Sequence, residues 1–219
     1  MDLETLRHLF DGLDTSSCCD ADKGLRVLDP AIRPLQAAPR LLGFARTVMC
    51  RGDFLPVVHA LARSRAGDVL VVDAGGGALA VAGELFATES LRRGLGGLVI
   101  DGAVRDTATL RTLDVAVYAR HVSPMAGQTR AASEEPGPVT CGGVAVRSGD
   151  VLFGDADGVV VVAPDDVPRI AGRAAEIQRT EAAILARVRS GTALADLTNL
   201  DEHWERRLRG EESAFGFTI

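Results

Sequence analysis

VDAGGGALAVAGELFATESLRRGLGGLVIDGAVRD, residues 72–106, is the stretch whose reading decides the fold. A strand-like apolar run, Val69 to Asp73, empties into a glycine-rich loop at Gly75 to Gly77. A helix is expected from about Gly83 to Gly94, with Glu84 in its first turn and Arg92 and Arg93 in its last. A second apolar run, Leu98 to Ile100, stops at Asp101-Gly102, and Arg105 and Asp106 follow at once. Twenty residues separate Glu84 from Arg105. The order predicts a β-loop-α-β-turn unit that gathers acid, base and glycine at one end of the strands.

Upstream, Leu3, Leu6, Phe10 and Leu13 at helical spacing predict an opening helix over residues 2–13, and Thr15 to Asp20 supplies caps for a short second one. Pro30, Pro34 and Pro39 break residues 28–40 into extended and turn segments. Gly43 to Cys50 reads as a strand, Asp53 as the cap of a helix from Phe54 to about Arg65, and Gly67-Asp68 as a turn. Downstream come a short helix at Thr107 to Thr112 and a strand at Val115 to Ala119. Residues 123–138, rich in Pro, Gly, Ser and Glu, form the longest loop. Val144 to Val146, Val151 to Phe153 and Val159 to Val162 are short turn-linked runs that suggest an antiparallel portion.

A long helix is expected from about Asp165 to Gly191, with Ile170, Ala174, Ile177, Ile184 and Val188 on its apolar stripe. Glu181 falls on the same stripe, where a carboxylate is costly without a partner. It is either a rim or salt-bridged position, or a residue this helix delivers to a neighbouring subunit's site. Residues 1–190 are expected to form a single α/β domain. Residues 191–219 read as a helical tail with Trp204 as its docking anchor.

The 219-residue chain is 47% hydrophobic, ample for a packed core. Its formal net charge of -6 argues against a broad nucleic-acid-binding face. No basic-apolar leader opens the sequence and no apolar run is long enough for a bilayer, so a cytoplasmic protein without a membrane partner is expected. Cys18, Cys19, Cys50 and Cys141 lack C-x-x-C spacing and read as reduced structural thiols. His8, His59, His121 and His203 are scattered and make no i, i+4 metal pair. Lys23 is the only lysine and sits in a polar turn, a poor place for Schiff-base chemistry. If such a chain stabilises a carbanion, a metal is the electron sink to expect.

Asp106, just past a strand end, has two readings: a hard-cation ligand, or the N-cap of the helix at Thr107. Arg105 offers a planar fork for a carboxylate, or a surface ion pair. Glu84 is explained by the helix dipole alone. The amides of Leu85 and Phe86, in the first turn after Gly83, make an anion site. The glycine run lacks the G-x-x-x-x-G-K-[ST] pattern, so a nucleotide P-loop is not expected.

Gly83-Glu84, the twenty-residue gap and Arg105-Asp106, with TSSCCDAD from Thr15 and GDVLFGDADGVVVVAP from Gly149, resemble the metal-dependent 4-hydroxy-4-methyl-2-oxoglutarate aldolases. That superfamily also contains the regulators of ribonuclease E activity. The resemblance covers roughly residues 15 to 190 and implies a swivelling β/β/α layered fold assembled as trimers or pairs of trimers. It implies that Asp106 ligates magnesium or manganese and that Glu84 orders a water on the metal. That acid is typically aspartate in the family, one methylene shorter. It further implies that Gly83, Leu85 and Phe86 bind the pyruvate carboxylate through backbone groups and that Arg105 binds carboxylate and oxyanion. The expected ligands are small 2-oxo acids. The other activity the superfamily permits is a non-catalytic regulator docked on a ribonuclease; the retained Glu84, Arg105 and Asp106 favour the enzyme. No methyl-donor motif supports a methyltransferase.

Overall fold

Backbone hydrogen bonds join eight strands into one mixed sheet. The computed structural model describes residues 1–132 and 137–218. Strands β1 (Arg26–Val27), β2 (Arg33–Pro34), β3 (Leu41–Met49), β4 (Asp68–Ala82), β5 (Gly97–Val104), β6 (Val117–Val122), β9 (Val151–Gly154) and β10 (Val159–Val162) lie in the order β1-β10-β9-β3-β4-β5-β6-β2. β7 (Val139–Cys141) and β8 (Val144–Val146) form a separate hairpin. β3 to β6 are parallel neighbours, and the flanking pairs are antiparallel, as the short turn-linked runs suggested.

Parallel strands need crossovers, and each of the three here carries a helix, the last of them only one turn long. α3 (Leu55–Arg63) and α4 (Glu84–Arg93) cover one face, where Val57, Leu61 and Ala87 meet Leu70, Val72, Leu98 and Ile100. The hairpin covers the other, with Val139, Cys141 and Val146 against Val71, Val99 and Tyr118. α1 (Leu3–Leu9), α2 (Thr15–Ala21) and the long α6 (Val167–Arg189) pack Leu6, Phe10, Cys18, Ile170 and Ala174 on β9 and β10. α5 (Thr107–Leu110) and α7 (Leu200–Leu208) complete the helices. The result is a layered α/β protein with central strands buried on both faces, which is why β10 and the first halves of β4 and β5 read as apolar runs.

Four expectations change. Gly75 to Gly77 does not end its strand: β4 runs on to Ala82, with register shifts against β5 after Asp73, Gly77 and Ala80. Gly75 and Gly76 take φ of 63° and 68°, so the run is an extended bulge that keeps pairing while turning the strand. Asp101-Gly102 is no stop either, because β5 continues to Val104. The Asp101 carboxylate is satisfied by Arg120 and by the Gly142 N–H at 2.7 Å, so a buried acid is tolerated in mid-strand. Trp204 is 63% exposed rather than docked; among the described residues of that region the buried one is Leu197. On α6, Ile170, Ala174 and Ile184 are buried, but Val188 and Glu181 face solvent. Residues 133–136 of the long loop lie outside the described residues, whereas 123–132 run beside the sheet. Lys23 is exposed and paired with Asp20, and all four cysteines are free thiols.

Candidate functional site

The site forms where β4 and β5 end side by side. Arg105 N–H donates to Ala82 O at 3.1 Å, which sets the Arg105-Asp106 turn against the Gly83 entry to α4. Asp106 is the only non-glycine residue with positive φ among the described residues, at φ 59° and ψ 37°. For a residue carrying a Cβ that conformation is strained, and such strain persists where the surroundings hold it.

The turn aims the Asp106 side chain. It occupies the N-cap position of α5 but makes no side-chain cap bond there. Its Oδ2 instead accepts the Glu84 N–H across the gap at 3.2 Å, capping α4. Arg105 Nε lies 3.6 Å from the same oxygen, and both side chains are half-exposed. Gly83 makes the approach possible: a Cβ there would sit 2.5 Å from Asp106 Oδ2. Oδ1 accepts no hydrogen bond from the described residues.

At the mouth of α4, Gly83 O accepts from both Phe86 N–H and Ala87 N–H at 3.1 Å. Of the two amides expected to serve an anion, Phe86 is therefore engaged, and Leu85 N–H is free among the described residues. A cleft of about 100 Å³ opens there, lined by Phe54, Ala80, Gly83, Leu85, Phe86, Arg105, Asp106 and Ala126. Phe54 and Phe86 meet edge to face at 6.0 Å. Glu84 is exposed at the same helix mouth. Glu181 does not line this cleft; it borders a separate depression with Asp20, Arg173 and Phe217. A larger groove of about 490 Å³, between Arg7, Arg40 and Asp114, lies at the opposite ends of the parallel strands. Open α/β sheets bind ligands at the carboxyl ends of their strands, which favours the smaller cleft.

No group of three or more His, Cys, Asp or Glu converges among the described residues. That is unlike a zinc centre, which takes at least three protein ligands. A magnesium-type ion keeps most of its waters and takes one or two carboxylates, so a half-exposed Asp106 with one oxygen uncommitted fits it.

Sequence reasoning saw only part of what Asp53 does behind the cleft's wall. Asp53 is buried, and its carboxylate accepts Leu55 N–H at 2.9 Å, Arg130 N–H at 2.6 Å and Ala131 N–H at 2.8 Å. Burial pushes its pKa up, but those bonds outweigh it and hold the carboxyl below the usual range. The expected helix cap is thus one bond of three. The signal available in the sequence was only an aspartate before an apolar helical run.

Strand ends, a helix mouth and a small, mostly apolar cleft bearing Arg105 and Asp106, on a sheet covered on both faces, define a layered α/β protein of the swivelling β/β/α kind. The chain belongs to the RraA-like family: the family's model, described as Aldolase/RraA, matches residues 15–161. A relative in Halalkalibacterium halodurans, provisionally named 4-hydroxy-4-methyl-2-oxoglutarate aldolase, is 38% identical over 161 residues, 70% of this chain and 74% of the relative. Among solved structures, an uncharacterised protein from Pseudomonas syringae pv. tomato superposes with a TM-score of 0.76 at 25% identity, over 88% of this chain and 96% of that one. The RNA-processing inhibitor RraA from Thermus thermophilus superposes with a TM-score of 0.64 at 29% identity, over 68% of this chain and 92% of its own.

Proposed function

We propose that this protein is a divalent-metal-dependent lyase that splits 4-hydroxy-2-oxo dicarboxylic acids to pyruvate. The substrate class includes 4-hydroxy-4-methyl-2-oxoglutarate and 4-carboxy-4-hydroxy-2-oxoadipate. The observation that carries the reading is the strained Asp106 turn, which sets a carboxylate and a guanidinium against a helix mouth with a free amide. Asp106 would hold magnesium or manganese, with Glu84 acting through water. When bound, the cation supplies Lewis acidity at the substrate's 2-oxo group.

The chain's own groups do the rest. The Leu85 N–H and the positive end of α4 bind the C1 carboxylate. Arg105 balances the oxyanion that grows at C2 as the bond breaks. The C4 hydroxyl gives up its proton to a water held by Glu84, and that oxygen becomes a carbonyl as the C3–C4 bond breaks. The C3–C4 electron pair then flows into the C2–C3 enolate, and protonation at C3 gives pyruvate. Glu181 of a neighbouring copy is a further candidate for proton handling; in its own chain it borders a separate depression. Oxaloacetate decarboxylation reaches the same enolate and is an expected side activity.

A coupled pyruvate assay on both substrates, with and without a chelator, tests this. Pyruvate release that stops on chelation and returns with magnesium supports the reading. Release that is indifferent to chelation removes the metal. No release, together with capture of a ribonuclease, makes the chain a regulator.

A further inference from the structure

We infer that Asp53 is a positioning residue that holds one wall of the cleft. The inference rests on the proposed lyase reading for its kinetic arm. Residues 125–131 run past the site as a strap rather than as a free loop. Ala80 N–H donates to Met125 O at 2.8 Å and Gly127 N–H to Ala80 O at 2.9 Å. Gln128 N–H donates to Gly52 O at 2.9 Å, and Phe54 N–H to Gln128 O at 2.8 Å. Ala126 in the strap and Phe54 at the head of α3 both line the cleft. Asp53 ties these two pieces together: Oδ1 accepts from Leu55 in α3, and Oδ2 accepts from Arg130 and Ala131 in the strap.

The chemistry of the clamp is specific. Three N–H donors converge on one buried side chain, so only a group with acceptors on both sides satisfies them. Serine and alanine lose some or all of these bonds and untie the strap from α3. Asparagine can keep the two strap bonds through its carbonyl oxygen and sacrifice Leu55 to its amide. Gly127 makes the strap fit tightly, since a Cβ there would lie 2.6 Å from Gly52 O.

Asp53 touches none of the reacting atoms, so its loss should weaken ground-state and transition-state binding alike. That predicts a raised KM with kcat little changed. A merely structural role would do the reverse, lowering the active fraction and hence apparent kcat while leaving KM alone.

The experiment is a kinetic series on the full chain, wild type, Asp53→Asn and Asp53→Ala, with magnesium and 4-hydroxy-4-methyl-2-oxoglutarate. Amide exchange at Gln128, Arg130 and Ala131 is read in parallel. Expected is KM rising about tenfold in the alanine variant and less in the asparagine variant, kcat within about twofold, and faster exchange at Arg130 and Ala131. An unchanged KM in folded Asp53→Ala overturns the inference, as does unchanged exchange. Should the wild-type chain release no pyruvate, the lyase reading falls, and exchange at Arg130 and Ala131 alone decides whether Asp53 holds the strap.

Discussion

Asp106 carries a Cβ into a backbone region that suits glycine, and two consequences can be separated by substitution. Asp106→Ala keeps the strained turn and loses the bond to Glu84 N–H. Asp106→Gly loses the same bond but relieves the strain. Net of the extra freedom glycine gives the unfolded chain, the glycine variant should be the more stable of the two by about 0.5–1 kcal/mol. Both should lose pyruvate release by at least about a hundredfold, the scale expected when a charge-stabilising group is removed. Urea unfolding beside the pyruvate assay reads both effects; an alanine variant as stable as the glycine variant would mean the turn stores no strain. Gly83→Ala tests the same geometry from the other side. Its Cβ meets Asp106 Oδ2 at 2.5 Å, so it should push the carboxylate away and lower activity by about tenfold or more while Asp106 itself is intact. The sequence made the members of this site legible because acid, base and glycine stood in a fixed order at two strand ends. It did not show that Asp106 caps α4 rather than its own helix, since that depends on a backbone angle which no spacing encodes.

At the level of elements, the decisive contact is between β4 and β5. Gly102 faces Ala74 across the pair, and a Cβ at Gly102 would lie 2.5 Å from Ala74 Cβ. Gly102→Ala should therefore cost about 1–3 kcal/mol as overpacking in a closed core. The paired change with Ala74→Gly should recover part of that cost. Denaturant midpoints measure it, and a Gly102→Ala protein as stable as wild type would show that the strands are free to separate there. The same pair explains where local reading stopped. Apolar runs placed β9, β10 and the first halves of β4 and β5 because strands buried on both faces need side chains of one kind. Gly75-Gly76-Gly77 looked like a loop because positive φ serves a bulge and a turn equally. Asp101 looked like a terminator because its partners, Arg120 and Gly142, are 19 and 41 residues away. β1 and β2 are two residues each and exist only by pairing with β10 and β6, so no periodicity could announce them. Trp204 was misread because an aromatic in a short terminal helix usually docks, and here α7 buries none of its residues.

Across the whole molecule, the response to alkali follows from how the cysteines are spread. Cys18 lies in the layer under α6, Cys50 on the α3 face and Cys141 in the hairpin where it packs on the sheet, so each core cluster holds one buried thiol. Burial pushes Cys18 up to about 12 and Cys50 to about 11, and it raises Cys141 as well. In the unfolded chain these thiols ionise from about pH 9, whereas the folded chain keeps its protons. The native state then binds more protons than the unfolded one, so stability falls as pH rises, by up to about 1.4 kcal/mol per pH unit for each thiol. The loss should begin near pH 9 and continue to about pH 11–12, where the folded thiols themselves ionise. Few other groups confuse the reading: of the 24 cationic side chains all but Lys23 are arginine, which stays charged throughout. Tyr118, the only tyrosine, is buried with its hydroxyl donating to Asp155 O at 2.6 Å; its raised pKa acts in the same direction. Melting temperature followed from pH 7.5 to 10.5 should hold until about pH 9 and fall above it, and Cys141→Ala should make that fall shallower even if it lowers the melting temperature at neutral pH. A flat profile up to pH 10.5 would mean that the three clusters admit water to their thiols, which dry packing of all three layers forbids.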